Sequence, residues 1–325
     1  MTPTAPDLTA LFGDIRAAHQ ALRPSVMTTP LTLSPGLSAL CGAQVYLKCE
    51  HLQHTGSFKF RGASNTVRLL DAQQRQRGVI TASSGNHGQG LALAARQAGV
   101  PLTVYAAAQA SAMKLDAIRA LGAQVITVAA DPLSVELRAA AAAEAEGRVF
   151  VSPYNNPQVV AGQGTVGMEL HEQLPGLDAV FVAVGGGGLV SGIGTALKHL
   201  DPGTQIIGCW PENAPAMQRS LAAGSIIEVA EHPTLSDGTA GGVEPGSITF
   251  ALCQQVIDRT VLVSERAIAQ AMRAVAQHER WIIEGAAGVA VAAALQVAGA
   301  FQGKRLAVVV CGRNIVLEKY LEAIA

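Results

Sequence analysis

Ala179-Val180-Phe181-Val182-Ala183-Val184-Gly185-Gly186-Gly187-Gly188-Leu189 runs a short apolar segment into four glycines. Leu189–His199 then continues with Ala, Leu and Val at helical spacing. A strand, a tight turn and a helix in that order make one βα unit, and the pattern recurs in both directions along the chain. The β-branched runs Gln44–Lys48, Gly78–Thr81, Leu102–Tyr105, Gln124–Val128, Ala179–Val184, Gln205–Cys209 and Arg305–Cys311 read as strands. Between them, helical spacing marks Phe60–Leu70, His87–Ala98, Ala112–Leu121, Leu133–Glu146, Val166–Glu172, Leu189–His199, Glu265–His278 and Ala286–Val297. Near-continuous apolar strands alternating with helices predict an α/β chain whose parallel sheets are covered on both faces. The Pro- and Asn-bearing segment Val151–Gln163 is the best boundary between two halves. Glu231–Gly246 reads as a long functional loop.

The chain has 325 residues, 23 basic and 24 acidic, for a formal net charge of −1. Its length predicts about two domains. Charged residues make up 14% and apolar residues 49%, which excludes disorder and predicts a large core. The balanced charge leaves no basic footprint, so no nucleic-acid partner is expected. Cys41, Cys49, Cys209, Cys253 and Cys311 are odd in number and contain no CxxC pair. They indicate neither a disulfide framework nor a zinc ribbon, and fit a reduced, cytoplasmic protein. Met1–Ala10 lacks the basic start and apolar run of a signal peptide. Ala286–Ala300 is built of small residues and includes Gln296, so it predicts a buried helix and no membrane span.

Four motifs carry chemistry. In Gly56-Ser57-Phe58-Lys59-Phe60-Arg61-Gly62 a lysine stands between two phenylalanines, where desolvation lowers the amine's pKa as attack on an aldehyde requires. Alone, it reads equally as a lysine lying over an apolar surface. Thr81-Ala82-Ser83-Ser84-Gly85-Asn86-His87-Gly88 follows a strand and opens a helix, where amides and helix dipole converge on an anion. Alone, it is an ordinary N-cap turn, with His87 hydrogen-bonded to backbone. Gly185-Gly186-Gly187-Gly188 exposes unhindered amides as a phosphate-gripping nest. It is not a dinucleotide fingerprint, because Ser191 stands where the third glycine should, and no Gly-Lys-Ser/Thr follows. Val308-Val309-Val310-Cys311-Gly312-Arg313-Asn314 ends a buried strand in a thiol, which alone is a small core residue.

Taken together and in this order, the four motifs resemble the fold-type II pyridoxal-phosphate enzymes. More narrowly they resemble the serine/threonine dehydratase and serine racemase family of catabolic type, from Leu47-Lys48-Cys49-Glu50 through Cys311. The resemblance implies a two-domain, tryptophan synthase β-like α/β fold, each domain a largely parallel twisted sheet flanked by helices. Residues 48–150 would form the small domain, with the Schiff-base lysine and substrate-carboxylate loop. Residues 1–47 and 151–325 would form the large, phosphate-binding domain. The cofactor implied is pyridoxal 5'-phosphate, held through Lys59, with Phe58 packed on its ring and Asn86 at the ring hydroxyl. Gly185, Gly186, Gly187, Gly188 and Leu189 would hold its phosphate, Cys311 would face the pyridine nitrogen, and Glu284 would lie nearby. Ser83, Ser84, Gly85, Asn86 and His87 match the family's substrate-carboxylate loop, and Lys59 and Ser84 its catalytic pair. A homodimer acting on a small amino acid is implied as well.

A neutral thiol at the ring nitrogen makes the ring a modest electron sink, which favours prompt loss of a β-hydroxyl. The expected activity is therefore a dehydratase (ammonia-lyase) turning a 3-hydroxy amino acid into a 2-oxo acid and ammonia. Threonine and serine are the default substrates, with 3-hydroxyaspartate and a 3-aryl serine left open. The rival is a racemase, with Ser84 as its second acid/base.

Three departures from the family pattern follow. No regulatory domain is read after the catalytic core, so branched-chain allostery is not expected. Trp210 and Ala216 occupy the positions of a cation-binding carboxylate pair, leaving Glu212 alone, so no metal is expected there. Arg313 replaces a glycine, and a large cation there would close part of the pocket or reach a substrate acid.

Overall fold

The computed structural model describes residues 6–325; the first five residues, part of the Met1–Ala10 stretch, lie outside the described residues. Two sheets organise the chain. Its strands are β1 (Leu31–Leu33), β2 (Gln44–Lys48), β3 (Val79–Ala82), β4 (Leu102–Ala107), β5 (Gln124–Val128), β6 (Val149–Phe150), β7 (Ala179–Ala183), β8 (Gln205–Pro211), β9 (Arg259–Val263) and β10 (Arg305–Val309). The six-stranded sheet has the order β1-β2-β10-β7-β8-β9, and the four-stranded sheet β5-β4-β3-β6. Every pairing is parallel except β1 with β2 at the edge. All five residues of β7 and all four of β3 are buried, as strands covered by helices on both faces must be.

The apolar run after Glu284 is the helix Gly285–Gln296, ten of whose residues are buried against β7 to β10. It is buried all round because it fills the core. No helix among the described residues is long and apolar enough to cross a membrane.

From Pro157 onward the segment Val151–Gln163 forms the helix Pro157–Gln173. Its proline and asparagine are start signals and not linker. Asn156 caps the amides of Gln158 and Val159 at 2.8 and 3.1 Å, and Pro157 opens the first turn. This helix crosses Lys59–Leu69 closely. A Cβ on Gly162 would sit 2.5 Å from the Cα of Gly62, so glycine is required at the crossing.

Beneath the crossing lies a fully buried ion network. Arg61 pairs with Glu50 through Nε at 2.7 Å and with Glu169 through Nη1 at 2.6 Å; Lys48 Nζ also donates to Glu169. Burial opposes the charge on Glu50, yet Arg61 beside it holds that carboxyl below its ordinary range. The network joins β2, the Lys59 helix and the helix Pro157–Gln173, fixing the lysine-bearing helix to the large sheet.

Candidate active site

Between the two sheets lies a cavity of about 570 Å³. Phe58, Lys59, Ser83, Ser84, Gly85, Asn86, His87, Gly185, Gly186, Gly187, Gly188, Leu189, Glu284 and Cys311 all line it. The four motifs, spread over 256 positions of sequence from Gly56 to Cys311, thus converge on one space.

Lys59 is the first residue of the helix Lys59–Leu69, and its Nζ donates to the carbonyl of Pro153 at 2.8 Å. Burial lowers its pKa to about 8, with Glu136 acting in the opposite direction. The segment before it is tied to the end of β10. The Phe58 amide donates to Cys311 O at 3.2 Å, and the Arg313 amide donates to Gly56 O at 3.0 Å. Lys59 and Cys311 are therefore registered to each other through main chain. Burial, then Glu284, pushes the Cys311 thiol well above its ordinary pKa, so it stays neutral.

The turn Ser83–Gly85 leads into the helix Asn86–Ala98. Asn86 Nδ2 donates to both oxygens of Glu284, at 2.9 and 3.0 Å, while Asn314 Nδ2 donates to Asn86 Oδ1 at 2.6 Å. The Asn314 amide also donates to Glu284 at 3.1 Å. Burial raises the Glu284 carboxyl to about 7, with the Asn86 hydrogen bond working against it. His87 is buried, its Nε2 lies 3.1 Å from Val151 O, and burial with Lys59 lowers its pKa to about 3.

The four glycines lie between β7 and the helix Gly188–Leu200. The amides of Gly185, Gly186 and Gly187 take no hydrogen-bond partner among the described residues. With the free first-turn amides of the helix they form a row of orphan donors on residues that line the cavity. A Cβ on Gly186 would stand 2.3 Å from the Tyr154 ring, so close packing requires glycine there as well. Orphan amides suit a phosphate and a buried amine of lowered pKa suits an aldehyde, so the donor set fits pyridoxal phosphate.

Arg313 is exposed and is not among the residues that line the cavity. Trp210 is buried, Ala216 is buried and Glu212 is exposed. Among the described residues no group of three or more His, Cys, Asp or Glu side chains could hold a metal ion.

Sequence reasoning passed over several residues of the site. Asn314, quoted only as part of a motif, orients Asn86. Glu136, in the helix Pro132–Glu146, lines the cavity beside Lys59 but carries no motif signal. Lys114 and Asp237 form an ion pair of 2.8 Å across the cavity's mouth, the latter from the loop read as functional.

The family profile described as pyridoxal-phosphate dependent enzyme matches residues 22–312. An L-threonine ammonia-lyase of Thermotoga maritima is 43% identical over 305 residues, covering 93% of this chain and 75% of that protein. A beta-hydroxyaspartate dehydratase of Paracoccus denitrificans is 40% identical over 309 residues, covering 95% and 97%. The crystal structure of a serine racemase from Dictyostelium discoideum superposes with a TM-score of 0.87 at 36% identity, covering 94% of this chain and 99% of that one.

Proposed function

The chain belongs to the pyridoxal-phosphate dependent enzymes, in their threonine/serine dehydratase–racemase branch of catabolic type, and from this membership we propose its reaction and the roles of its residues. The reaction is an ammonia-lyase step: a 3-hydroxy amino acid loses its β-hydroxyl and then its nitrogen, giving a 2-oxo acid and ammonia. The observation that carries this reading is the meeting of Lys59, the glycine-loop amides, Cys311 and the Ser83–His87 turn on one cavity.

Bound there, the cofactor supplies an electron sink for the charge left at the substrate's Cα. Gly185, Gly186, Gly187, Gly188 and Leu189 hold its phosphate on orphan amides. Asn86, braced by Glu284 and Asn314, holds the ring hydroxyl; Phe58 covers one ring face and Cys311 meets the ring nitrogen as a neutral partner. Ser83, Ser84, Gly85, Asn86 and His87 bind the substrate carboxylate at the start of a helix. Lys59 would hold the cofactor through its amine and, with that amine free, would take the Cα proton; its lowered pKa keeps a useful neutral fraction near pH 7.

Ser84 lines the same cavity, and that supports a second reading, a racemase in which Ser84 reprotonates the opposite face. The division into residues 48–150 and residues 1–47 with 151–325 is supported by the two sheets on either side of the cavity. We also assign a homodimer in the cytoplasm, the latter supported by five free, buried cysteines.

The test is 2-oxo acid release from L-threonine, L- and D-serine, L-threo-3-hydroxyaspartate and threo-phenylserine, with Lys59→Ala as control. Release from at least one substrate, lost in the control, is expected. No release from any, together with deuterium entry at Cα in D2O, contradicts the lyase and selects the racemase.

A further inference from the structure

Four glycines in a row carry no side chain that sets the direction of their peptide planes. Glycine takes φ of either sign at little cost, and Gly187 stands at φ +88°. A plane that turns over exchanges a donor for an acceptor, which phosphate oxygens repel. The Tyr154 ring crowds Gly186 and the Thr239 backbone crowds Gly185, which bounds the shape of the loop. Neither makes a hydrogen bond to the loop among the described residues, so neither holds a peptide group by a directed bond.

Thr249 does. Its Oγ1 donates to Gly186 O at 2.6 Å from 63 positions further along the chain. Gly186 O has no other hydrogen-bond partner among the described residues. The peptide bond is planar and trans, so the Gly187 N–H points the opposite way from that carbonyl. Gly187 lines the cavity and Thr249 does not, and the Gly187 amide is without a partner among the described residues. Holding the carbonyl on the Thr249 side keeps this donor free.

Thr249 is itself buried and fixed. It is the second residue of the helix Ile248–Val256, whose first amide donates to Asn155 Oδ1 at 3.0 Å. Ser247 Oγ lies 2.7 Å from Thr249 Oγ1. A hydroxyl has one proton, and that of Thr249 goes to Gly186 O, so Ser247 is the donor between the two. The branched Cβ of Thr249 also restricts its rotamer. Donation therefore runs one way, from Ser247 through Thr249 to the glycine loop.

We propose that Thr249 is a positioning residue: its hydroxyl locks the Gly186–Gly187 peptide in the orientation that leaves the amide free to grip a phosphate. The proposal rests on the reading of the glycine loop as the cofactor's phosphate site and adds a residue that no motif marks.

The experiment is an equilibrium titration of apoprotein with pyridoxal 5'-phosphate and, separately, with pyridoxal, followed by absorbance. Pyridoxal has the same aldehyde and ring but no phosphate, so the ratio of the two affinities reports the loop alone. Thr249→Val keeps the shape and removes the hydroxyl. It should lower affinity for pyridoxal 5'-phosphate by at least about tenfold and leave that for pyridoxal unchanged. Thr249→Ser should restore most of the loss. Ser247→Ala should lower the ratio by about two- to threefold, and it carries the test if Thr249→Val does not fold.

An unaltered ratio in Thr249→Val, or in Ser247→Ala where that variant stands in, overturns the proposal. So does an equal loss for both ligands, which marks general support of the fold. A loss that Thr249→Ser does not restore also overturns it, because the methyl group and not the hydroxyl is then at work. Wild-type protein that binds the two ligands equally overturns the reading of the loop as a phosphate site, and the proposal with it. That result is distinct from a normal wild-type ratio that the variants leave in place.

Discussion

At the scale of single residues, the site depends on groups whose protonation is set by their surroundings. Lys59 is buried in a cavity between two sheets, and burial alone moves a lysine toward its neutral form. The neutral amine is the species that attacks an aldehyde, and its share grows as pH rises toward the folded pKa. Apoenzyme should therefore take up pyridoxal phosphate about fivefold faster at about pH 8 than at about pH 7, levelling off above pH 9, as followed by absorbance. A rate falling over that range would contradict the lowered pKa. Asn86 provides a second case. Its oxygen accepts from Asn314 while its nitrogen donates to Glu284, so the side chain has one orientation. Asn314→Ala frees Asn86 to turn and should weaken cofactor binding by about five- to tenfold in equilibrium titration, the worth of one buried hydrogen bond. Unchanged affinity would show that Asn86 is positioned by Glu284 alone.

At the scale of elements, the strand–turn–helix units were legible because each carries its own punctuation. The strand Gln124–Val128 and the start of the helix Glu265–Glu279 match their sequence reading to the residue, since apolar runs end there at turn or cap residues. The edge strand β5 was legible from its β-branched run, but three other edge strands were not. β1, β6 and β9 have three, two and five residues, and each pairs on one side only, so none shows the continuous apolar run of a central strand. The helix Leu8–Leu22 was passed over although Asp7 caps two of its amides. The glycine loop shows how one motif can answer two demands. Its amides are on residues that line the cavity, and Gly186 also admits the Tyr154 ring. Gly186→Ala should displace the ring or the loop and weaken cofactor affinity by at least about tenfold, with far-UV dichroism unchanged. Equal affinity in the variant would mean that the loop's shape is not set by this contact.

At the scale of the whole molecule, the motifs could be read one by one, but the frame that brings them together could not. Lys48 and Arg61 lie close in sequence, yet their shared partner Glu169 lies more than a hundred positions further on. Nothing in a charge pattern distinguishes such a group from solvated surface charges. The network is buried, so removing its centre leaves Glu50 without its counter-ion and Glu169 with Lys48 alone. Arg61→Ala should cost about 3–5 kcal/mol of stability and lower the thermal midpoint, while a surface change such as Arg119→Ala leaves it in place. A midpoint unaltered in Arg61→Ala would remove the network from the account of how the Lys59 helix is held.

The central claim is that the Lys59 amine, and no other, carries the cofactor in this cavity. Reduction of the cofactor-loaded protein with borohydride, followed by peptide mapping in the mass spectrometer, tests it directly. A stable pyridoxyl group on Lys59 as the dominant adduct is the result predicted. An adduct on Lys114, on Lys319 or spread over surface lysines, with Lys59 unmodified, would contradict it.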